Sequence, residues 1–267
     1  MAYTEINCLL CDEHTVTSFL NLGVSSLANA FLTEDQLVED EAKYPLRVGF
    51  CATCSHVQLL DIVPPSEIFA NYLYVSSASD TLVRHLNGLA HTVVQRCALS
   101  EQDLIVDVGC NDGTLLAGFI AAGQRNTLGI DPASNLAESV RSKGAKVLSA
   151  FFGPDSATQI LRDFGPASVI TMTNTFPHVP DLNGLMRAVD TLLRPDGTFV
   201  LEAHYLLDLL EQGAYDTIYH EHVSYWAFRP MQRLFHAHGF EAVAPRLAVA
   251  RRGRGGLLGL GVRERVA

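Results

Sequence analysis

The spacing of apolar and polar positions changes character along the chain. Over residues 1–60 short apolar runs are broken by polar clusters such as "LTEDQLVEDEAKYP", and no period is sustained. In "SSASDTLVRHLNGLAHTVVQRCAL" the apolar residues Leu82, Leu86, Leu89, Val93 and Val94 recur at helical spacing. Residues 61–100 are therefore predicted to be largely helical, with Ser79 or Asp80 as the cap. From residue 103 short β-branched runs alternate with helical ones. "DLIVDVG", "NTLGIDPA", "KVLSAFF", "ASVITMTNTF" and "GTFVLEAHY" read as strands. "DGTLLAGFIAAG", "SNLAESVRSKG" and stretches near 154–164, 181–193 and 206–212 read as helices. Such alternation predicts an α/β fold, a mostly parallel sheet with helices on both faces. The expected organisation is a small domain at 1–60, a helical connector at 61–100, a Rossmann-like domain at 101–244 and an atypical tail at 245–267. That tail holds six arginines and five glycines in 23 residues and is expected to remain unpacked.

Composition narrows the function classes. A hydrophobic content of 48% in 267 residues is enough for one or two cored domains, and a charged fraction of 18% argues against global disorder. The net charge of −10 provides no broad basic surface, so nucleic acid is not the expected partner. No basic start followed by an apolar run opens the chain, and no stretch is long enough to span a bilayer. A cytoplasmic, soluble protein without membrane partners is expected, and the oligomeric state is left open.

Four of the six cysteines fall in two pairs, Cys8-x-x-Cys11 and Cys51-x-x-Cys54. In a reducing compartment this spacing points to Zn²⁺ held by four thiolates, a structural site with no open position. His14 and His56 lie nearby and read as ordinary surface histidines. The segment "LIVDVGCNDGTLL" places Asp107, Gly109 and Gly113 at a strand-to-helix turn, where a ligand can approach the backbone and the helix N-terminus. It is not GxGxxG, so a dinucleotide dehydrogenase is not the first choice. Asp131, 24 residues after Asp107, ends the next strand and can accept hydrogen bonds from ribose hydroxyls. This combination resembles the class I S-adenosylmethionine (SAM) methyltransferases. The resemblance implies an adenine pocket near Phe151 and Phe152 and the methionine moiety near Asn174.

"IYHEHVSYWAF" at 218–228 concentrates titratable groups beside apolar ones. The cysteine pairs, "DVGCNDG" at 107–113 and "YHEHVSY" at 219–225, in this order, resemble the zinc-containing sugar C-methyltransferases of deoxysugar biosynthesis. "YLYVSSAS" at 72–79, with Tyr74, resembles a family segment near the cofactor. The resemblance covers roughly residues 5–243. It implies SAM and Zn²⁺ as cofactors and adds Asn111 and Asp112 to the cofactor loop. A dTDP-4-keto-deoxysugar is the implied substrate. His222 is the implied base that removes the proton beside the ketone; Tyr219 donates to the enolate oxygen, and Glu221 or His178 orients the sugar or relays a proton. His220 is expected to point away, with Trp226 and Phe228 in the core. Family members carry a further α/β domain where the Arg/Gly stretch begins here. A truncated or frame-shifted chain is therefore expected, with the cofactor site intact and sugar binding impaired. Methyl transfer to oxygen, nitrogen or RNA, and a chain that binds zinc and SAM without turnover, are the competing readings.

Overall fold

A computed structural model describes residues 7–13, 15–38, 40–69, 72–248 and 257–265, with the backbone alone at 242–248 and 257–265. His14, Arg251, Arg252 and Arg254 lie outside the described residues. The first sixty residues form three antiparallel strands, β1 (Val16–Ser25), β2 (Tyr44–Cys51) and β3 (Val57–Leu59). A short helix α1 (Pro65–Phe69) follows, then α2 (Asp80–Arg96). Ser79 caps α2 by accepting from the Leu82 amide. The apolar face of α2 buries Leu86, Ala90 and Val93 against Ile105, Leu115 and Phe119.

The alternating region folds as its periodicity predicts. In chain order come β4 (Ile105–Val108), α3 (Thr114–Ala121), β5 (Thr127–Ile130), α4 (Ala137–Ser142), β6 (Lys146–Leu148) and α5 (Pro154–Phe164). They continue with β7 (Ala167–Thr173), α6 (Leu182–Leu192), β8 (Leu193–His204) and α7 (Leu206–Glu211). The fully buried strands β4 and β5 are mostly apolar, as parallel strands covered on both faces tend to be, with Asp107 as the buried exception in β4.

Two findings depart from the sequence expectation. First, β9 (Ser224–Tyr225) pairs with β3, so the first sheet runs β1-β2-β3-β9 and is completed by the histidine-rich segment. The boundary at residue 60 is thus not one between independent units. Second, the Arg/Gly stretch joins the sheet. After α8 (Phe228–Ala237), the chain forms β10 (Phe240–Ala248) and β11 (Leu257–Arg265). The large sheet runs β10-β11-β8-β7-β4-β5-β6, with β11 antiparallel to both neighbours. The expected unpacked tail is corrected accordingly. Leu258, Leu260 and Val262 alternate with Gly259, Gly261 and Arg263, a period of two that the glycines and arginines concealed. No helix among the described residues is long and apolar enough to cross a membrane.

Candidate active site

The cysteine pairs meet at the base of the small sheet. All four Sγ atoms lie within 4.8 Å of one another, with Cys8–Cys54 at 3.4 Å and Cys11–Cys51 at 3.7 Å. A tetrahedral Zn²⁺ with bonds of about 2.3 Å has sulfur–sulfur edges of about 3.8 Å, so the donor set and its spacing fit this ion. The thiols are unequal. The Cys54 hydrogen bond lowers Cys8 to about 5, and the same contact raises Cys54. Leu9 N donates to the Gln58 side chain and Thr15 Oγ1 contacts Cys51 Sγ at 3.2 Å, which fixes both knuckles.

A cavity of about 1080 Å³ opens at the carboxyl ends of β4, β5, β7 and β8, the place where open α/β sheets bind ligands. Its cofactor end is built on the turn after β4. Gly109 has φ +69, and a Cβ there would sit 2.2 Å from Thr175 Oγ1, so only glycine fits. Asn111, also at positive φ, stitches three segments together. Its amide N–H donates to Asp131 Oδ2 at 2.8 Å, its Nδ2 donates to Tyr74 O at 2.9 Å, and its Oδ1 accepts from Ser76 N at 2.8 Å. Asp107 is held by the Thr171 hydroxyl at 2.7 Å, and burial raises its carboxyl to about 7. Asp131 is raised in the same direction by burial. Buried acids in this state favour a ligand that brings positive charge or hydroxyl donors. Asn174 Oδ1 is buried without a partner among the described residues, an acceptor aligned with the same need.

Two expected cofactor residues sit differently. Gly109, Asn111, Asp107, Asp131, Phe152, Asn174 and Tyr74 all line the cavity. Asp112 and Gly113 do not appear in the described lining. The Asp112 carboxylate instead accepts from Thr114 and Ser77 and pairs with Lys143 at 3.4 Å. These bonds tie the first residue of α3 to the 72–79 segment.

The opposite end of the cavity collects the histidines. His178 lies on a 3-10 turn after β7 and stacks on Phe69, with centroids 5.2 Å apart. His222 is buried, its ring 5.1 Å from that of His178 and 5.5 Å from that of His204. His222 Nδ1 lies 2.9 Å from the Thr217 carbonyl, which only accepts, so Nδ1 carries the proton. Nε2 is then the lone-pair nitrogen, and the Tyr219 hydroxyl donates to it at 3.0 Å. Burial lowers His222 to about 4, so the imidazole is neutral at pH 7. Burial likewise lowers His178 and His204 and raises Tyr219.

Glu221 is buried but absent from the described lining. It accepts from Tyr72 Oη at 2.8 Å and from Asn29 Nδ2 at 2.5 Å, bracing two residues that do line the cavity. His220 points away, as expected, its Nε2 bonded to the Tyr44 and Pro45 carbonyls of the small sheet. Trp226 is fully buried among Phe176 and His56, and Phe228 packs on the main core. His56 is buried, not superficial, and contacts Ser224 Oγ at 3.2 Å. Sequence reasoning missed Asn29, Phe69 and His204. A polar residue closing a parallel strand was a readable signal for His204. Asn29 had none, since its partner lies 192 residues away.

The sheet order, the glycine turn and the acids at the strand ends define the fold of a SAM-dependent methyltransferase domain. The chain belongs to the family described as "Methyltransferase domain", matched over residues 82–244, and the family described as "Putative zinc binding domain" matches residues 8–69. It is 33% identical over 236 residues to C-methyltransferase NovU of Streptomyces niveus, covering 88% of this chain and 56% of that protein. It is 27% identical over 151 residues to the ubiquinone biosynthesis O-methyltransferase of Ralstonia nicotianae, covering 50% of this chain and 63% of that protein. The chain thus spans less than two thirds of the length of both relatives. Among solved structures, a SAM-dependent methyltransferase from Clostridium acetobutylicum shares the fold with a TM-score of 0.54 at 10% identity, over 68% of this chain and 92% of its own. The 1,6-didemethyltoxoflavin-N1-methyltransferase of Burkholderia thailandensis, solved with S-adenosylhomocysteine, has a TM-score of 0.51 at 14% identity, over 71% and 81%.

Proposed function

We propose that the chain is a C-methyltransferase acting on a nucleotide-activated 4-keto-deoxysugar, a dTDP sugar by resemblance. Its long similarity to a C-methyltransferase supports the reading. The observation that carries it is the Tyr219–His222 pair, a neutral imidazole with one fixed tautomer at the end of the cavity. When bound, SAM supplies an electrophilic methyl group. A carbon acceptor must first lose the proton beside its ketone. The pair serves as the base, and the proton ends on His222 Nε2 while Thr217 holds Nδ1. Tyr219 then turns its hydroxyl to the enolate oxygen, a donor whose raised pKa keeps it protonated. Burial keeps His178 neutral beside His222, so no second cation opposes formation of the imidazolium. Asp107, Asp131 and Asn174 hold the cofactor end. Glu221 acts as a positioning residue through Tyr72 and Asn29.

Methyl transfer to oxygen is the second reading, favoured by similarity to the O-methyltransferase. Incubation with ¹³C-methyl SAM and dTDP-4-keto-6-deoxyglucose separates the two. A new carbon-bound methyl signal is expected; an oxygen-bound methyl signal would select the second reading.

A further inference from the structure

Removing a proton at every turnover raises the question of where it goes. His222 has no outward route of its own: Nδ1 ends on a backbone carbonyl and Nε2 faces the cavity pair. Its neighbour His204 differs. His204 closes β8 and lines the cavity, while its Nδ1 is buried with no partner among the described residues. Two residues back on the same face of β8 lies Glu202, whose Oε1 is also buried and unpartnered. The two side chains start from Cα atoms roughly 6.6 Å apart by the strand rise, the reach of a direct bond or one bridging water. The two orphaned atoms do not bond each other directly, so one water between them would satisfy both. The other carboxylate oxygen, Oε2, lies 2.6 Å from His85 Nε2 on α2. The Glu202 side chain is 5% exposed and that of His85 is 35% exposed. The row therefore runs from cavity to solvent.

We propose that His204, Glu202 and His85 form the exit path for the proton taken from the acceptor carbon. The inference rests on the C-methylation reading and deepens it. The acceptor C–H bond breaks, its electron pair stays in the enolate, and the proton reaches the His222–Tyr219 pair. His204, whose ring centre is 5.5 Å from that of His222, takes it on Nε2 through one bridging oxygen and releases the proton on Nδ1 to Glu202. Glu202 passes a proton to His85, which gives it up to solvent. No oxidant or further reactant is needed. His204 touches the cavity; Glu202 and His85 act through it as positioning residues.

Two measurements on the full chain test this. In the first, ¹⁵N-histidine NMR follows His204 in the wild type and in Glu202→Gln. A protonated Nδ1 whose signal moves in the variant, with the His222 tautomer unchanged, is expected; a His204 signal indifferent to Glu202 overturns the proposal. The second follows solvent deuterium entering dTDP-4-keto-6-deoxyglucose in weak and strong imidazole buffer. His85→Gln and Glu202→Gln should slow exchange about tenfold or more in weak buffer and recover as imidazole is raised. Wild-type rates in both variants, or a loss that imidazole does not restore, overturn the path. A wild type that exchanges nothing removes the C-methylation reading and the path's purpose together. The NMR response would still report whether Glu202 and His204 are linked, so the two failures can be told apart.

Discussion

At the scale of single residues, the site depends on groups held away from their usual protonation. His222 takes up a proton in the unfolded chain near pH 6.5 but in the folded chain only near pH 4. Its contribution to stability is whole above pH 6.5 and falls as the pH drops from 6.5 toward 4. The loss amounts to about 3 kcal/mol over that window. Urea unfolding at pH 7.5 and pH 4.5 should show a fall to which the other buried histidines also contribute, and His222→Gln should make it smaller by about this amount; an equal fall in both proteins would contradict the assignment. The placement of these groups was partly legible in "YHEHVSY": His222 and Tyr219 line the cavity and His220 turns away from it. Asp112 and Glu221 were placed by motif as ligand-facing groups. Their carboxylates are taken up by Thr114, Ser77 and Lys143 in one case and by Tyr72 and Asn29 in the other. A motif gives a residue's position in the chain, whereas the direction of its side chain depends on partners far away in sequence.

At the scale of elements, the turn between β4 and α3 organises the cofactor end. Gly109 packs against Thr175 with no room for a side chain, and Asn111 ties the turn to the 72–79 segment. Gly109→Ala should destabilise the protein by about 2 kcal/mol or more and weaken S-adenosylhomocysteine binding at least roughly tenfold. Calorimetry would check this, and unchanged affinity would show that the turn does not shape the site. The helices and parallel strands were legible because their periods are long and clean: α5 covers 154–164 as expected. The strand β9 was not, since two residues carry no period and pair only because β3 offers an edge. The strand β11 was hidden by composition, its alternation diluted by glycine and arginine.

At the scale of the whole molecule, the zinc-binding unit and the histidine-rich segment share one sheet. Pairing of β3 with β9, the His220 contacts to β2 and the Asn29–Glu221 bond all place the histidine segment on the small domain. Metal lost from the four cysteines should therefore disturb the acceptor end before the cofactor end. Chelation, or Cys54→Ser, should lower methyl transfer roughly 100-fold while S-adenosylhomocysteine still binds. Loss of both together would mean that the small domain supports the entire fold. That two regions almost 170 residues apart build one sheet was out of reach of sequence reading, which marked a boundary at residue 60. The central claim is that this chain takes a proton from carbon. The most direct measurement is deuterium incorporation beside the ketone of dTDP-4-keto-6-deoxyglucose, in D₂O without SAM, for the wild type and for His222→Ala. The account predicts incorporation by the wild type and a rate about 10²–10⁴-fold lower in the variant. Incorporation at equal rates, or none in a wild type that still transfers methyl groups, would contradict it.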